Sequence, residues 1–191
     1  EELPADLYLC LVGVKPNTGF LAESGVAVKN GILVDPSMQT SVPGIYAAGD
    51  VAESTDCITG ERMVNAIQPN AVEQGRIAAL NMAGKRATSR GTFAFNVLDT
   101  LGLLSHSFGA WQGLEGGESA ELLDEERFRY LKLEFLDDRL VGANAVGFAG
   151  HAGVLRGLIE GRVRLGSWKH RLLQDPTQVM QAYLARAQKL A

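Results

Sequence analysis

The chain is poor in cysteine, has no long apolar run and carries no strong excess of either charge. Its two cysteines, Cys10 and Cys57, are too few for a disulfide framework or a four-thiolate metal site. No apolar run reaches the roughly 18 residues of a membrane helix, and the first 30 residues lack the pattern of a secretory signal. The formal net charge of -4 argues against general nucleic-acid binding. We therefore expect a cytoplasmic protein without a membrane, nucleic-acid or metal partner.

The first part of the chain has the pattern of an α/β unit. Residues 6–14, DLYLCLVGV, are apolar on both faces, which predicts a buried central strand with Cys10 as a packed thiol. Asn30-Gly31 between two apolar runs predicts a hairpin. Residues 44–49, GIYAAG, predict another short buried strand. Residues 68–84 have apolar or small residues at helical spacing and predict a helix.

The second part follows a polar, Gly-containing stretch that we interpret as a linker over residues 86–91. Beyond it the pattern predicts a small α+β domain over residues 92–191. Its predicted elements are two strands within 93–111, an acidic surface loop at 113–127, a hairpin of strands 128–136 and 139–147, a helix at 150–160, and a helix that begins at Asp175 and Pro176 with Gln178 as capping partner.

One segment indicates chemistry, residues 40–53 with the sequence TSVPGIYAAGDVAE. Ala47, Ala48 and Gly49 are small, so backbone or a ligand can approach closely. Asp50 follows the predicted strand directly. In open α/β sheets, ligands bind at the carboxyl ends of strands. A carboxylate at that place can accept hydrogen bonds from the hydroxyls of a ribose or ribityl chain.

This segment closely resembles the second flavin-binding signature of the FAD-dependent pyridine nucleotide-disulfide oxidoreductases. Residues 11–21, LVGVKPNTGFL, resemble the place where that family's NAD(P)H domain returns to its FAD domain. Residues 65–84, NAIQPNAVEQGRIAALNMAG, look like the family's helix that points at the flavin ring. The resemblance covers about residues 5–85. The remainder resembles, more weakly, the carboxyl-terminal domain of the NADH:rubredoxin reductase and nitrite reductase branch.

The resemblance implies an α/β fold, α+β overall, in which residues 1–85 supply part of an FAD-binding sheet and a flavin-facing helix. It implies FAD as cofactor, NAD(P)H as electron donor, and a redox protein, nitrite-type or disulfide acceptor. The family's flavin contacts fall here on Gly49, Asp50, Gln68, Pro69 and Asn70. Residues 92–191 would then serve dimer contacts or acceptor selection, so we expect a homo-oligomer.

Several family motifs are missing from the 191 residues. Neither of the two GxGxxG fingerprints is present, nor is a C-x-x-C or C-x-x-x-x-C redox pair. We therefore expect a fragment of a longer reductase that is inactive on its own. Two alternatives stay open, a non-catalytic dimerisation or interaction module and a disulfide reductase whose reactive cysteine lies elsewhere. The basic residues within 162–171 are either a solvated face or a docking patch for an acidic electron-transfer protein.

Overall fold

The computed structural model describes residues 2–148, 150 and 152–187, and over these ranges the chain is a mixed α/β protein with two sheets and four α-helices. The predicted fold class is therefore confirmed. The elements are, in chain order, β1 (Ile32–Leu33), β2 (Ala52–Thr55), β3 (Arg62–Met63), α1 (Gln68–Met82), β4 (Phe95–Thr100), β5 (Leu103–Gly109), β6 (Glu118–Asp124), β7 (Arg129–Leu136), β8 (Arg139–Val146), α2 (Ala152–Glu160), α3 (Ser167–Gln174) and α4 (Val179–Ala187).

The first sheet is small, with strand order β1-β2-β3, and α1 lies against it. β1 and β2 run parallel, with Ile32 opposite Ala52, and β3 runs antiparallel to β2. Ile77 and Ala78 of α1 join Ile32 and Ala52 in one buried cluster. The small sheet and one face of α1 therefore share a core.

The predicted helix at 68–84 is confirmed, and its end has a clear cause. Gly84 adopts a left-handed conformation with φ of 76°, which glycine reaches without steric cost. The N–H of Lys85 then donates to the carbonyl of Leu80 at 2.9 Å, and the N–H of Gly84 donates to that of Asn81 at 3.0 Å. These two bonds satisfy carbonyls that the last helical turn leaves open.

The second sheet is antiparallel, with strand order β4-β5-β8-β7-β6, and α2 packs on β5 and β8. The predicted hairpin of β7 and β8 is confirmed, and its turn residue Asp137 has φ of 51°. The predicted cap at Asp175 is confirmed, because its carboxylate accepts the N–H of Thr177 at 3.0 Å, but the α-helix itself begins only at Val179. The first turn after Asp175, Pro176–Gln178, is a 3-10 turn that leads into α4. The Gln178 side chain donates to the Asp175 carboxylate at 2.9 Å.

Two strand predictions in the first part are wrong. Residues 6–14 contain no strand, and every one of them is exposed, including Cys10. An apolar run becomes a strand only when neighbours take its backbone hydrogen bonds, and none of the described residues pairs with this run. Residues 44–49 contribute only an isolated bridge between Tyr46 and Gln39. The predicted Asn30-Gly31 hairpin is reduced to a single antiparallel bridge between Val28 and Ile32.

Four elements were not predicted, namely the short strands β2 and β3, the edge strand β6 and the helix α3. The stretch 113–127, expected to be a loop, contains the edge strand β6, in which Ala120 is buried while Glu121 is exposed. This alternation of period two is masked in the sequence because Leu123 lies on the exposed face, while Glu118 and Asp124 share the face of Ala120. Similarly, α3 lies in the basic stretch and buries only Leu172, so its polar composition hid it.

Within the described residues, no helix combines the length and the apolar character needed to cross a membrane.

Candidate functional site

The centre of the candidate site is the GD turn, which consists of Gly49 and Asp50. Gly49 has φ of 84°, a conformation that suits glycine. Its N–H donates to the side-chain Oε1 of Gln74 at 2.7 Å. A β-carbon on Gly49 would lie 3.6 Å from the β-carbon of Ala71, so the turn sits against the start of α1. The GD turn thus lies against α1 at Ala71 and Gln74, directly after the predicted site residues Gln68, Pro69 and Asn70 in the chain.

Gln74 is a residue of this site that the sequence analysis missed. It is 3% exposed, and its Nε2 donates to the Ser54 hydroxyl at 3.2 Å. A buried amide of this kind needs partners, and Gln74 obtains them from the GD turn on one side and from β2 on the other. The available signal was a polar residue on the inward face of the helix, in line with Ile77 and Ala78.

Asp50 and Asp35 are two carboxylates that follow apolar segments, and the structure distinguishes them. Asp35 Oδ1 accepts the N–H of Ser37 at 2.8 Å and that of Gln39 at 3.0 Å. Partial burial raises the pKa of Asp35, but the hydrogen bonds from Ser37 and Gln39 outweigh it and hold the pKa below its ordinary value. Asp50 is exposed, and its carboxylate accepts no hydrogen bond from any described residue. Asp50 is therefore the carboxylate available to a ligand.

The start of α1 is open to solvent. Ile67 occupies the N-cap position, and its side chain cannot cap the helix. Gln68 and Pro69 are exposed, and Pro69 has no N–H to leave unpaired. The first helical bond runs from Ala71 N–H to the carbonyl of Ile67 at 3.1 Å. The backbone donors of Gln68 and Asn70, with the positive end of the helix dipole, are therefore free to meet an anionic group.

The Asn70 side chain is used within the protein. Its Oδ1 accepts the N–H of Phe93 at 3.3 Å, and its Nδ2 donates to the carbonyl of Phe93 at 3.1 Å. A contribution of Asn70 to ligand binding would therefore come from its backbone.

Asn70 belongs to a set of hydrogen bonds between the first part of the chain and the start of the second, which we call the amide seam. It consists of Asp56, Asn65, Asn70, Thr92 and Phe93. Asn65 Nδ2 donates to the Thr92 hydroxyl at 2.8 Å and to the Asp56 carboxylate at 3.2 Å. The expected linker is also bonded to the first part of the chain, since the N–H of Ser89 donates to the carbonyl of Pro36 at 2.7 Å.

Cys10 and Cys57 are free thiols and do not form a disulfide with each other. Burial, then the nearby charges of Asp56 and Glu160, raise the pKa of the Cys57 thiol to about 11. Cys57 is therefore protonated near neutral pH and is a poor nucleophile. Over the described ranges, no three His, Cys, Asp or Glu side chains converge on a point where a metal ion could bind.

The basic stretch 162–171 is partly neutralised within the molecule. Lys169 forms an ion pair with Glu118 of β6. The guanidinium of Arg171 lies 4.7 Å from the centre of the Trp168 ring. Fewer of these cations are therefore available to an acidic partner than the sequence suggests.

Comparison with known proteins bears on this geometry. The family described as pyridine nucleotide-disulphide oxidoreductase matches residues 1–81. The chain is 37% identical over 180 residues to the NADH-dependent phenylglyoxylate dehydrogenase subunit epsilon of Aromatoleum evansii, an alignment that covers 93% of this chain and 42% of that protein.

Two of the solved structures that resemble the chain are reductases. The NADH:rubredoxin oxidoreductase of Clostridium acetobutylicum aligns with a TM-score of 0.61 at 28% identity, over 78% of this chain and 38% of that one. The covalent putidaredoxin reductase-putidaredoxin complex aligns with a TM-score of 0.82 over 97% of this chain and 43% of that one, and at 23% identity this likeness shows the fold alone.

The chain spans less than half the length of each of these three proteins. The matched residues include both the GD turn and the start of α1. Residues 1–81 of the chain therefore match the pyridine nucleotide-disulphide oxidoreductase family.

Proposed function

We propose that this chain is the part of a flavoprotein oxidoreductase that holds the flavin end of FAD, in a protein that passes electrons from NAD(P)H through FAD to an acceptor. The observation that carries the proposal is the packing of the GD turn against the open start of α1, with a β-carbon at Gly49 3.6 Å from Ala71. This packing supports a site that would combine the Asp50 carboxylate with the backbone donors at the start of α1.

The residues present fit a flavin. FAD, when bound, supplies the hydride and electron chemistry. Asp50 would accept a hydrogen bond from a ribityl hydroxyl, while Gly49 lets the backbone come close. The backbone donors of Gln68 and Asn70 would face the pyrimidine edge of the ring, where the helix dipole favours negative charge. Pro69 adds an apolar edge beside them.

We further propose that residues 1–85 form the end of an NAD(P)H domain with part of the FAD domain, and that residues 92–191 form a second domain for dimer contacts or acceptor selection. The separate buried clusters around Ile77 and around Leu133 support this division. An acidic electron-transfer protein is a candidate partner, supported by the rubredoxin in the name of a similar reductase. A cytoplasmic location also remains a proposal, and the free thiols of both cysteines support it.

The test measures FAD affinity in the protein that contains this chain and binds flavin. Asp50→Ala should weaken FAD binding by roughly ten- to a hundredfold, because a hydrogen bond to a charged acceptor contributes about 1.5 to 3 kcal/mol. Glu61→Ala is the matched control, since Glu61 is also an exposed carboxylate of the first part. Equal FAD affinity in wild type and Asp50→Ala would refute this placement of the flavin.

A second candidate function is a non-catalytic dimerisation or interaction module. The apolar side chains exposed in residues 6–14, such as Leu11 at 88%, favour it. The absorbance spectrum of the purified chain distinguishes the two. Flavin bands that survive gel filtration support the flavoprotein, whereas a bare protein spectrum after incubation with FAD supports the module.

A further inference from the structure

A cavity of about 620 Å³ lies between the start of α1 and the end of α2, and we call it the α1–α2 cavity. Pro69 and Phe93 form its apolar wall, and Arg90 and Arg162 stand at its rim. Its volume is in the range of small-molecule sites, which commonly combine an apolar wall with a few polar groups.

This cavity does not include the GD turn, although it shares Pro69 and Asn70 with the proposed flavin contacts at the start of α1. Gly49 contacts α1 at Ala71, whereas the cavity is lined by Pro69 and Glu73, two residues before and two after Ala71. Two residues on a helix correspond to about 200° of rotation. The cavity and the GD turn therefore lie on different sides of the helix.

Among the charged groups around the cavity, two guanidinium groups have no ion-pair partner in the part of the chain that the structure describes. Arg156 pairs with Glu160 at 2.8 Å, and Glu73 pairs with Arg76 at 2.8 Å. Arg90 and Arg162 form no ion pair with any residue that the structure describes. The thiol of Cys57, which also lines the cavity, is kept protonated by its raised pKa of about 11 and adds no negative charge.

The backbone at Arg162 is unusual for an arginine. Arg162 has φ of 49°, and the N–H of Val163 donates to the carbonyl of Leu158 at 3.1 Å. This is the position just after a helix that glycine normally occupies, because other residues are strained there. An ordinary explanation exists, since a cation near a helix carboxyl end is favourable. The test below therefore separates that structural role from ligand binding.

We propose that the α1–α2 cavity binds an organic phosphate, with Arg90 and Arg162 on the phosphate group and Phe93 and Pro69 against the non-ionic part of the ligand. Planar guanidinium groups match phosphate oxygens with paired hydrogen bonds. Two uncompensated cations suit a doubly charged anion. The volume exceeds what a phosphate group alone would fill. The two arginines that carry the proposal are not among the proposed flavin contacts.

Calorimetric titration of the 191-residue chain tests it, with adenosine monophosphate and inorganic phosphate as separate probes. Arg162→Gly removes the cation and relieves the backbone, so the protein should keep or raise its melting temperature. The same change should weaken adenosine monophosphate binding at least about tenfold, as loss of a charged hydrogen bond does. Arg162→Lys tests whether a positive charge at position 162 is sufficient for binding. Arg90→Gln tests the contribution of the second cation.

Arg127→Gln is the matched control, because Arg127 is an exposed arginine paired with Asp124 on the distant β6–β7 hairpin. It should bind the nucleotide as the wild type does. Tighter binding of adenosine monophosphate than of phosphate supports an organic phosphate, and equal binding restricts the site to the phosphate group. Absence of binding by both probes at millimolar concentration overturns the proposal, as does full affinity in Arg162→Gly.

Discussion

The two cysteines differ in exposure, and this difference is measurable at the residue scale. Cys10 is exposed, whereas burial is the first cause that raises the pKa of Cys57 to about 11. We expect a thiol reagent at pH 8 to modify Cys10 rapidly and Cys57 slowly. The Cys57 rate should rise about tenfold for each pH unit until about pH 11, because only the thiolate reacts. A Cys10→Ser variant isolates this slow phase. A fast reaction of Cys57 at pH 8 would contradict the expectation.

His106 gives a pH dependence of known sign. The residue is 4% exposed, both ring nitrogens lack a hydrogen-bond partner among the described atoms, and burial lowers its pKa from 6.5. The unfolded chain therefore binds a proton more readily than the folded protein. Stability from this residue is present above pH 6.5 and is lost as the pH falls below it.

We expect His106→Leu to be neutral or stabilising at pH 7, because it removes a buried polar group without a partner. It should also flatten the fall in unfolding free energy between pH 7 and pH 5, measured by urea denaturation. His170→Leu is the control, since it removes an exposed imidazole and not a buried one. Parallel profiles for wild type and His106→Leu would show that the buried imidazole is not the cause.

Residues with local roles could be predicted from the sequence, and residues with distant partners could not. Gly49 and Asp50 stand out because a small-residue run ends in a carboxylate within a few positions. Glu53 was missed although it is fully buried, because its carboxylate accepts the N–H groups of Asn30 at 2.7 Å and Gly31 at 3.0 Å, more than 20 residues earlier. Such long-range pairs leave no pattern in the neighbouring sequence.

At the scale of elements, Gln74 joins α1 to both the GD turn and β2. Gln74→Leu should lower the unfolding free energy by about 1 to 3 kcal/mol, because it leaves the N–H of Gly49 without its acceptor. Urea denaturation followed by circular dichroism measures this change. Gln181→Leu on the exposed side of α4 should stay within about 0.5 kcal/mol of wild type. If both variants had the same unfolding free energy, the hydrogen bonds of Gln74 would make no net contribution to stability.

The same scale shows why some elements were predictable. α1 has Pro69 at its start and Gly84 just after its end, and the β7–β8 hairpin has Asp137 at its turn, so local residues mark their limits. β6 and α3 bury few side chains and are rich in charged and polar residues, so their apolar content does not stand out. The opposite error occurred at residues 6–14, where apolar character was present but strand partners were not. A hydrophobic pattern shows which side chains a segment can bury, but it does not show whether a neighbouring strand is present to pair with that segment.

At the scale of the whole molecule, the exposed apolar run at 6–14 should drive association. Tyr8 is 84% exposed and Leu11 88%, and exposed apolar patches of this kind promote protein contacts. We expect the chain to be a dimer or larger by light scattering at micromolar concentration. A variant with Leu9→Lys and Leu11→Lys should shift it toward the monomer, while Leu123→Lys on β6 serves as an exposed-leucine control. A monomeric wild-type chain would count against this.

The amide seam has a consequence for how the protein unfolds. One buried cluster surrounds Ile77 and another surrounds Leu133, and the seam connects them through directional hydrogen bonds. Each such bond contributes about 0.5 to 1.5 kcal/mol net, less than an intact apolar core. Unfolding should therefore be highly cooperative within each cluster and only weakly coupled between the two clusters. Amide hydrogens of β7 and β8 should exchange through one opening reaction and those of α1 through another, and Asn70→Ala should widen the gap between the two opening free energies.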